Sequence, residues 1–178
     1  LDANLREEMR FEIRRLHDAF RYTTVYVTHD QIEAMTTADL IAVMNAGRIE
    51  QLGSPEQIYG EPVSEFVARF IGGSNILKGT ALDANHISLA GTALACTGPG
   101  FATVRPGAVS IRQHQIAMLA KAPADGRGNV LGATVRRQVF LGASRDYMVT
   151  LGDGTELRVT GPAEESFQPG AAVHVHLP

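Results

Sequence analysis

The sequence holds a single cysteine, Cys96, in 178 residues. No internal disulfide can form, and a lone thiol fits a reducing compartment such as the cytoplasm. Aromatic residues are scarce at 6%, and 16 basic side chains face 19 acidic ones. A nucleic-acid surface needs a clustered basic excess, so these shortages argue against that class. No stretch is apolar for long enough to span a bilayer. No Gly-x-x-x-x-Gly-Lys-Ser/Thr occurs, so no P-loop cradles nucleotide phosphates. The compact glycine clusters, Gly72-Gly73 and Gly98-Pro99-Gly100, are followed by neither Lys-Ser nor Lys-Thr and read as turns. The chain opens Leu1-Asp2-Ala3-Asn4, with no methionine and no signal-peptide pattern, already at a helix edge. That start gives the expectation of a fragment.

What is present divides in two. The apolar fraction of 44% is enough for a real core. Residues 1–73 carry 7 basic and 12 acidic side chains, residues 74–178 carry 9 and 7. The shift suggests two modules meeting near residue 73.

The first module alternates helices and strands. Leu5, Met9, Ile13, Leu16 and Phe20 recur at helical spacing and predict an amphipathic helix over 4–20. Glu7 and Glu8 near its start and Arg14 and Arg15 later suit the helix dipole. Thr23 to Thr28 is a β-branched and aromatic run that predicts a strand buried on both faces. Asp30 and Glu33 predict an N-cap and capping box for a helix over 31–38. Leu40 to Met44 predicts a second buried strand, turned by Asn45-Ala46-Gly47 into a hairpin with Arg48 to Leu52. Ser54-Pro55-Glu56-Gln57 and Ser64 start two further helices. Gly72-Gly73-Ser74 marks the boundary.

Beyond residue 75 short alternating runs replace helical periodicity. Expected strands cover 76–82, 86–89, 92–96, 101–105, 108–112, 129–141, 145–151, 155–160 and 172–177. Asp153-Gly154 predicts a hairpin, and 121–128 an exposed loop. Many short strands with turn signals predict a small barrel or sandwich.

The strongest chemical feature is the run Val27-Thr28-His29-Asp30-Gln31. A histidine beyond the carboxyl end of a buried strand can point a ring nitrogen at a phosphate or an attacking water. On position alone an ordinary solvent-exposed histidine in a loop explains it somewhat better, because lone histidines are common. The surroundings extend the pattern: Leu1-Asp2-Ala3, Thr23 to Asp30, Ile41 to Met44, Gly47-Arg48-Ile49 and Gly53-Ser54-Pro55-Glu56-Gln57-Ile58-Tyr59 follow in one order. Phe66 to Asn75 follows as Phe-Val-Ala-x-Phe-Ile-Gly-x-x-Asn. This order closely resembles the last third of the nucleotide-binding domain of ABC importer ATPases, across residues 1–73. The resemblance implies that His29 is the switch histidine contacting the γ-phosphate of ATP, and that Asp2 is the D-loop aspartate at the interface of two ATPase subunits. A hydrogen-bonding group at the γ-phosphate serves phosphoryl transfer. Walker B, its glutamate, the Gln loop and the Leu-Ser-Gly-Gly-Gln signature are absent, so this chain alone is expected to be inactive.

The tail resembles the TOBE module of the same family, through Thr103 to Arg112, Gly132 to Leu151 and Gly170 to Leu177. Gly107 stands where that family usually has Glu. The resulting fold class is an α/β segment, a partial ABC ATPase core over 1–73, followed by an all-β OB-like TOBE barrel over 74–178. The resemblance implies ATP and Mg2+ for an intact subunit, with neither expected on this chain. It implies membrane permease subunits and a homodimer as partners, a periplasmic binding protein indirectly, and a place on the cytoplasmic face of the membrane. The cargo is not legible, with the tail leaning towards polyamine or ferric iron over phosphonate or sugar. Rival readings are a stand-alone regulatory or small-ligand-binding OB-type domain and a purely structural dimerisation module. His174-x-His176 places two imidazoles on one strand face, a surface pair more readily than a metal site. Arg136-Arg137 reads as a half-exposed pair on opposite faces, and Cys96 as a small core residue.

Uncovered apolar faces and strand edges favour association. The chain is therefore expected to run as an oligomer, with its N-terminal part rearranged or exchanged between copies. Light scattering checks this; a monodisperse monomer with a native-like N-terminal segment would contradict it.

Overall fold

The computed structural model describes residues 3–96, 106–123 and 128–178, with only the backbone of 3, 4 and 6. Asp2, the Gly98-Pro99-Gly100 turn, the expected strand 101–105 and residues 124–127 of the expected loop lie outside the described residues. The chain separates into two compact units, Leu1–Gly72 and Gly73–Pro178. The fold is mostly β-sheet, with four α-helices confined to the first unit among the described residues.

The first unit begins with α1 (Ala3–Phe20). Arg21 ends it in a left-handed conformation at φ 55, with its amide bonded to the His17 carbonyl at 2.8 Å. The apolar stripe of α1 stays largely in solvent, with Leu5, Met9, Leu16 and Phe20 exposed and Ile13 half-buried. Helix α2 (Gln31–Thr37) follows an irregular stretch over 21–30. Strands β1 (Ile41–Asn45) and β2 (Arg48–Gly53) form an antiparallel hairpin. Its two-residue turn places Ala46 at φ 46 and Gly47 at φ 78, the doubly left-handed turn that matches strand twist. Helix α3 (Pro55–Gly60) carries the full Ser54–Gln57 capping box. Ser64 caps α4 (Glu65–Phe70) through the Val67 amide. Ile41, Val43, Ile58, Val67 and Ile71 form the core, with Met35 and Phe66 against it.

Two expectations fail here. Residues 23–28 form no strand, and Val25 and Val27 are 87% and 92% exposed. A strand buried on both faces needs ladder partners and covering layers. The sheet described in this unit has two strands only, and neither pairs with 23–28. For the same reason β1 is buried on one face alone, with Ile41 and Val43 inward and Ala42 and Met44 outward.

The second unit builds two sheets. The first has the order β5-β4-β3-β6, from β3 (Asn75–Ala81), β4 (His86–Leu89), β5 (Thr92–Ala95) and β6 (Pro106–Ile111). The second has the order β10-β9-β8-β11-β7, from β7 (Ala117–Leu119), β8 (Val130–Phe140), β9 (Ser144–Leu151), β10 (Glu156–Pro162) and β11 (Ala172–His176). Inward side chains of both sheets meet in one core, including Leu77, Ile87, Val135, Val149, Leu157, Val159 and Val175. Tyr147 is buried there; its hydroxyl donates to the Glu165 carbonyl at 2.6 Å and its ring meets Phe167 edge-on. Strand β7 and the 3-10 turn Gln113–Gln115 before it carry no strong alternating pattern in the sequence.

Two asparagines close the sheets on each other. The Asn75 carboxamide accepts from the Arg158 amide and donates to the Arg158 carbonyl, both at 2.8 Å. It thereby occupies the free edge of β10. The Asn129 carboxamide accepts from the Ala95 amide at 2.7 Å and donates to the Ala95 carbonyl at 2.9 Å, on the edge of β5. Each side chain stands in for a missing strand and satisfies one donor and one acceptor.

Asn75→Ala is expected to lower the unfolding free energy by about 1–2 kcal/mol, because it leaves two backbone groups of β10 without protein partners. Asn75→Asp, which keeps only the acceptor, should fall between. Denaturant unfolding checks the order; equal stability of Asn75→Ala and the parent would contradict it.

Candidate functional site at the His29 loop

His29 sits between Thr28 and Asp30, whose side chains both bond to α2. The Asp30 carboxylate accepts from the amides of Ile32 at 2.8 Å and Glu33 at 3.2 Å, capping the helix. The Asp30 amide in turn donates to Thr28 Oγ1 at 2.9 Å. The Thr28 hydroxyl donates to Glu33 Oε2 at 2.6 Å, and the Tyr26 hydroxyl reaches the same oxygen at 3.1 Å. Glu33 therefore does not close the expected capping box. It turns back to the 26–28 stretch, because the Thr28 hydroxyl already serves the Asp30 amide.

Charge supports the same arrangement. The Glu33 amide lowers the Asp30 carboxyl below the usual carboxylate range most strongly; partial burial opposes this, and the Ile32 amide, Arg10 and His29 add to the lowering. Arg10 Nη2 lies 4.0 Å from Asp30 Oδ2. The hydrogen bond to Glu33 raises the Tyr26 phenol. Next to this anchor, the His29 side chain is exposed and no hydrogen bond to it is found among the described residues. Its backbone is pinned on both sides while its ring faces solvent. Such an imidazole can donate to, or accept from, a phosphate group brought to it.

The rest of a phosphoryl-transfer site does not converge here. Asp2 lies outside the described residues, so the structure does not place it beside His29. Among the described residues no group of three or more His, Cys, Asp or Glu side chains could hold a metal ion. The recess beside α1 is lined by Ile13, Leu16, His17, Phe20, Tyr22 and Thr24 and is almost wholly apolar. Its Phe20 and Tyr22 rings stack at 5.7 Å, which suits an apolar neighbour and not a phosphate.

His174 and His176 share one half-buried face of β11, and His174 Nδ1 is buried without a partner. Arg136 and Arg137 do not alternate as expected. A bulge between Val135 and Arg137 breaks the frame, so both are exposed, and Arg136 Nε donates to Thr150 Oγ1 at 3.1 Å. Cys96 is half-buried, and burial raises its thiol.

Residues 102–178 match the TOBE domain family. Over 177 residues, 99% of its length, the chain is 38% identical to the spermidine/putrescine import ATP-binding protein PotA of Acetivibrio thermocellus, and covers 48% of that protein. Over almost its whole length the chain is similar to the ATP-binding subunits of ABC importers. The sulfate/thiosulfate import ATP-binding protein CysA of Thermosynechococcus vestitus is 39% identical over 157 residues, covering 88% of this chain and 41% of that one. The chain thus spans less than half the length of these curated relatives. In fold, it is similar to the cytoplasmic molybdate-binding protein ModG, solved with molybdate bound, at a TM-score of 0.51 and 20% identity. That likeness covers 58% of this chain and 89% of ModG.

The Thr28 and Glu33 roles beside His29 are not apparent from helical or strand periodicity. The Thr28-x-Asp30 pair carried a local signal, since a threonine two residues before an N-cap can accept its amide.

The Asp30 cap carries a pH dependence of fixed sign. A carboxyl lowered in the folded state stabilises above its unfolded value, and that stability is lost as pH falls through the lowered one. Below about pH 4 the Ile32 and Glu33 amide signals should therefore titrate in NMR spectra. Asp30→Asn, an uncharged cap, should abolish that titration; an identical titration in the variant would contradict the assignment.

Proposed function

We propose that this chain is the C-terminal portion of the ATP-hydrolysing, energy-coupling subunit of a bacterial import system. On this reading residues 1–73 run from the D-loop to the end of the nucleotide-binding domain, completing an α/β ATPase core, and residues 74–178 are the TOBE regulatory barrel. The observation that carries it is the unbroken order of matches around His29, set within a chain aligned almost end to end with importer ATP-binding proteins. The exposed apolar stripe of α1 and the exposed 22–27 stretch support it. They have the composition of surfaces that other layers of a larger sheet would cover.

His29 is then the residue that meets the γ-phosphate, and Asp2 the one that meets the second ATPase subunit. The chemistry of the His29 loop fits a positioning role. It supplies one hydrogen-bonding ring on a rigid backbone, and no phosphate cradle. ATP and Mg2+ belong to the intact subunit, where the missing P-loop and Walker B strand would hold them. The partners are permease subunits and a second copy of the ATPase, with a periplasmic binding protein acting at one remove, and the location is the cytoplasmic face of the membrane. The cargo is set elsewhere: near-equal identity to a polyamine and a sulfate importer protein argues that this half of the subunit does not choose it. The alternative, a regulatory or ligand-binding OB-type domain, draws on the ModG likeness, which bears on fold alone.

Calorimetric titration of this chain with Mg·ATP should show no binding at millimolar affinity or better. Binding in that range would contradict the reading. In the complete subunit, His29→Ala should lower kcat by about a hundredfold or more with nucleotide affinity little changed.

A further inference from the structure

Gln31, two residues past His29, does not follow the helix it begins. Its Nε2 donates to the Phe70 carbonyl at the end of α4. Its Oε1 accepts from the Gly72 amide at 2.9 Å. One carboxamide thus satisfies a free carbonyl of α4 and the last amide of the first unit. Directly beyond it the chain passes through Gly72 and Gly73, at φ 71 and 60. Both lie in the left-handed region that glycine occupies freely and other residues do not. In the second unit, Gln113 Nε2 donates to the Gly73 carbonyl. A Cβ at Gly73 would fall 2.8 Å from that nitrogen. Each half of the glycine pair is therefore held by a glutamine carboxamide from its own unit.

The other end of the first grip is the His29 loop itself. Asp30 and the Thr28–Glu33 hydrogen bond hold the loop on α2. Gln31 begins α2 and holds the chain's exit from the unit. A shift of the loop that draws Gln31 away must break both hydrogen bonds at Phe70 and Gly72.

We propose that Gln31 is a latch, a positioning residue whose carboxamide holds the Gly72–Gly73 joint while the His29 loop is seated and releases it when the loop moves. Its functional meaning rests on the reading of His29 as the histidine that meets nucleotide phosphate. On that reading, occupancy of the phosphate site is passed along the chain to the TOBE unit.

The test is a double-substitution cycle read by amide hydrogen exchange at Gly72, in this chain and without nucleotide. Thr28→Val removes both hydrogen bonds of the Thr28 hydroxyl and touches nothing at 70–72. It should speed Gly72 exchange about tenfold. Gln31→Ala should speed it at least as much, and Thr28→Val should add nothing once Gln31→Ala is present. Unchanged Gly72 exchange in Thr28→Val would make Gln31 a local helix cap and overturn the latch. An equal Thr28→Val effect with and without Gln31 would overturn it as well. Should Gln31→Ala fail to fold, Gln31→Glu serves in the same cycle, because it keeps the acceptor for Gly72 and loses the donor to Phe70. The readout needs no ATP, so the latch and the nucleotide reading of His29 can each fail alone.

Discussion

The Asp30 carboxylate, bonded to the first amides of α2, is the contact on which the chemistry of the first unit depends. It fixes where the helix starts, and so fixes His29 one residue earlier and Gln31 one residue later. Thr28 and Glu33 complete the anchor from either side. These are polar bonds between near neighbours in sequence, and they form whatever else surrounds them. The apolar side chains of the same stretch have no such recourse. Val25 and Val27 remain in solvent, each forgoing about 1.5–3 kcal/mol relative to full burial. The loop is held in place by hydrogen bonds in a position that packing does not reward.

The second unit shows the opposite balance. Its two sheets share one core, and Asn75 and Asn129 occupy strand edges that would otherwise be open. Inward side chains of both sheets, among them Leu77, Val135, Val149 and Val175, are buried in that core. The first unit, by contrast, leaves Leu5, Met9, Leu16 and Phe20 of α1 exposed. The chain spans less than half the length of these curated relatives.

Local chemistry was legible from the residues, and long-range partnership was not. Ser54 with Gln57 and Ser64 with Val67 cap their helices as the spacing predicts, because capping needs atoms only three residues apart. The alternation of β9, β10 and β11 survives for a similar reason: one face meets a core that the chain itself supplies. Thr23 to Thr28 has the composition of a buried strand, but a strand forms only where a ladder exists. Arg136 and Arg137 escaped because a bulge changes the frame without changing composition. Glu33 was read as half of a capping box; the Thr28 hydroxyl took that place and left Glu33 to bind back. Gln31, Asn75 and Asn129 act across 41, 83 and 34 residues, and no periodicity announces such contacts.

The central claim is that His29 belongs to a nucleotide site whose remaining parts lie upstream of Leu1. The most direct measurement is the sequence of the coding region immediately before it. The account predicts an open frame encoding a P-loop, a Leu-Ser-Gly-Gly-Gln-like segment and an apolar strand ending in Asp-Glu. A start codon close to Leu1 would contradict it, and would leave His29 an exposed histidine on a regulatory protein.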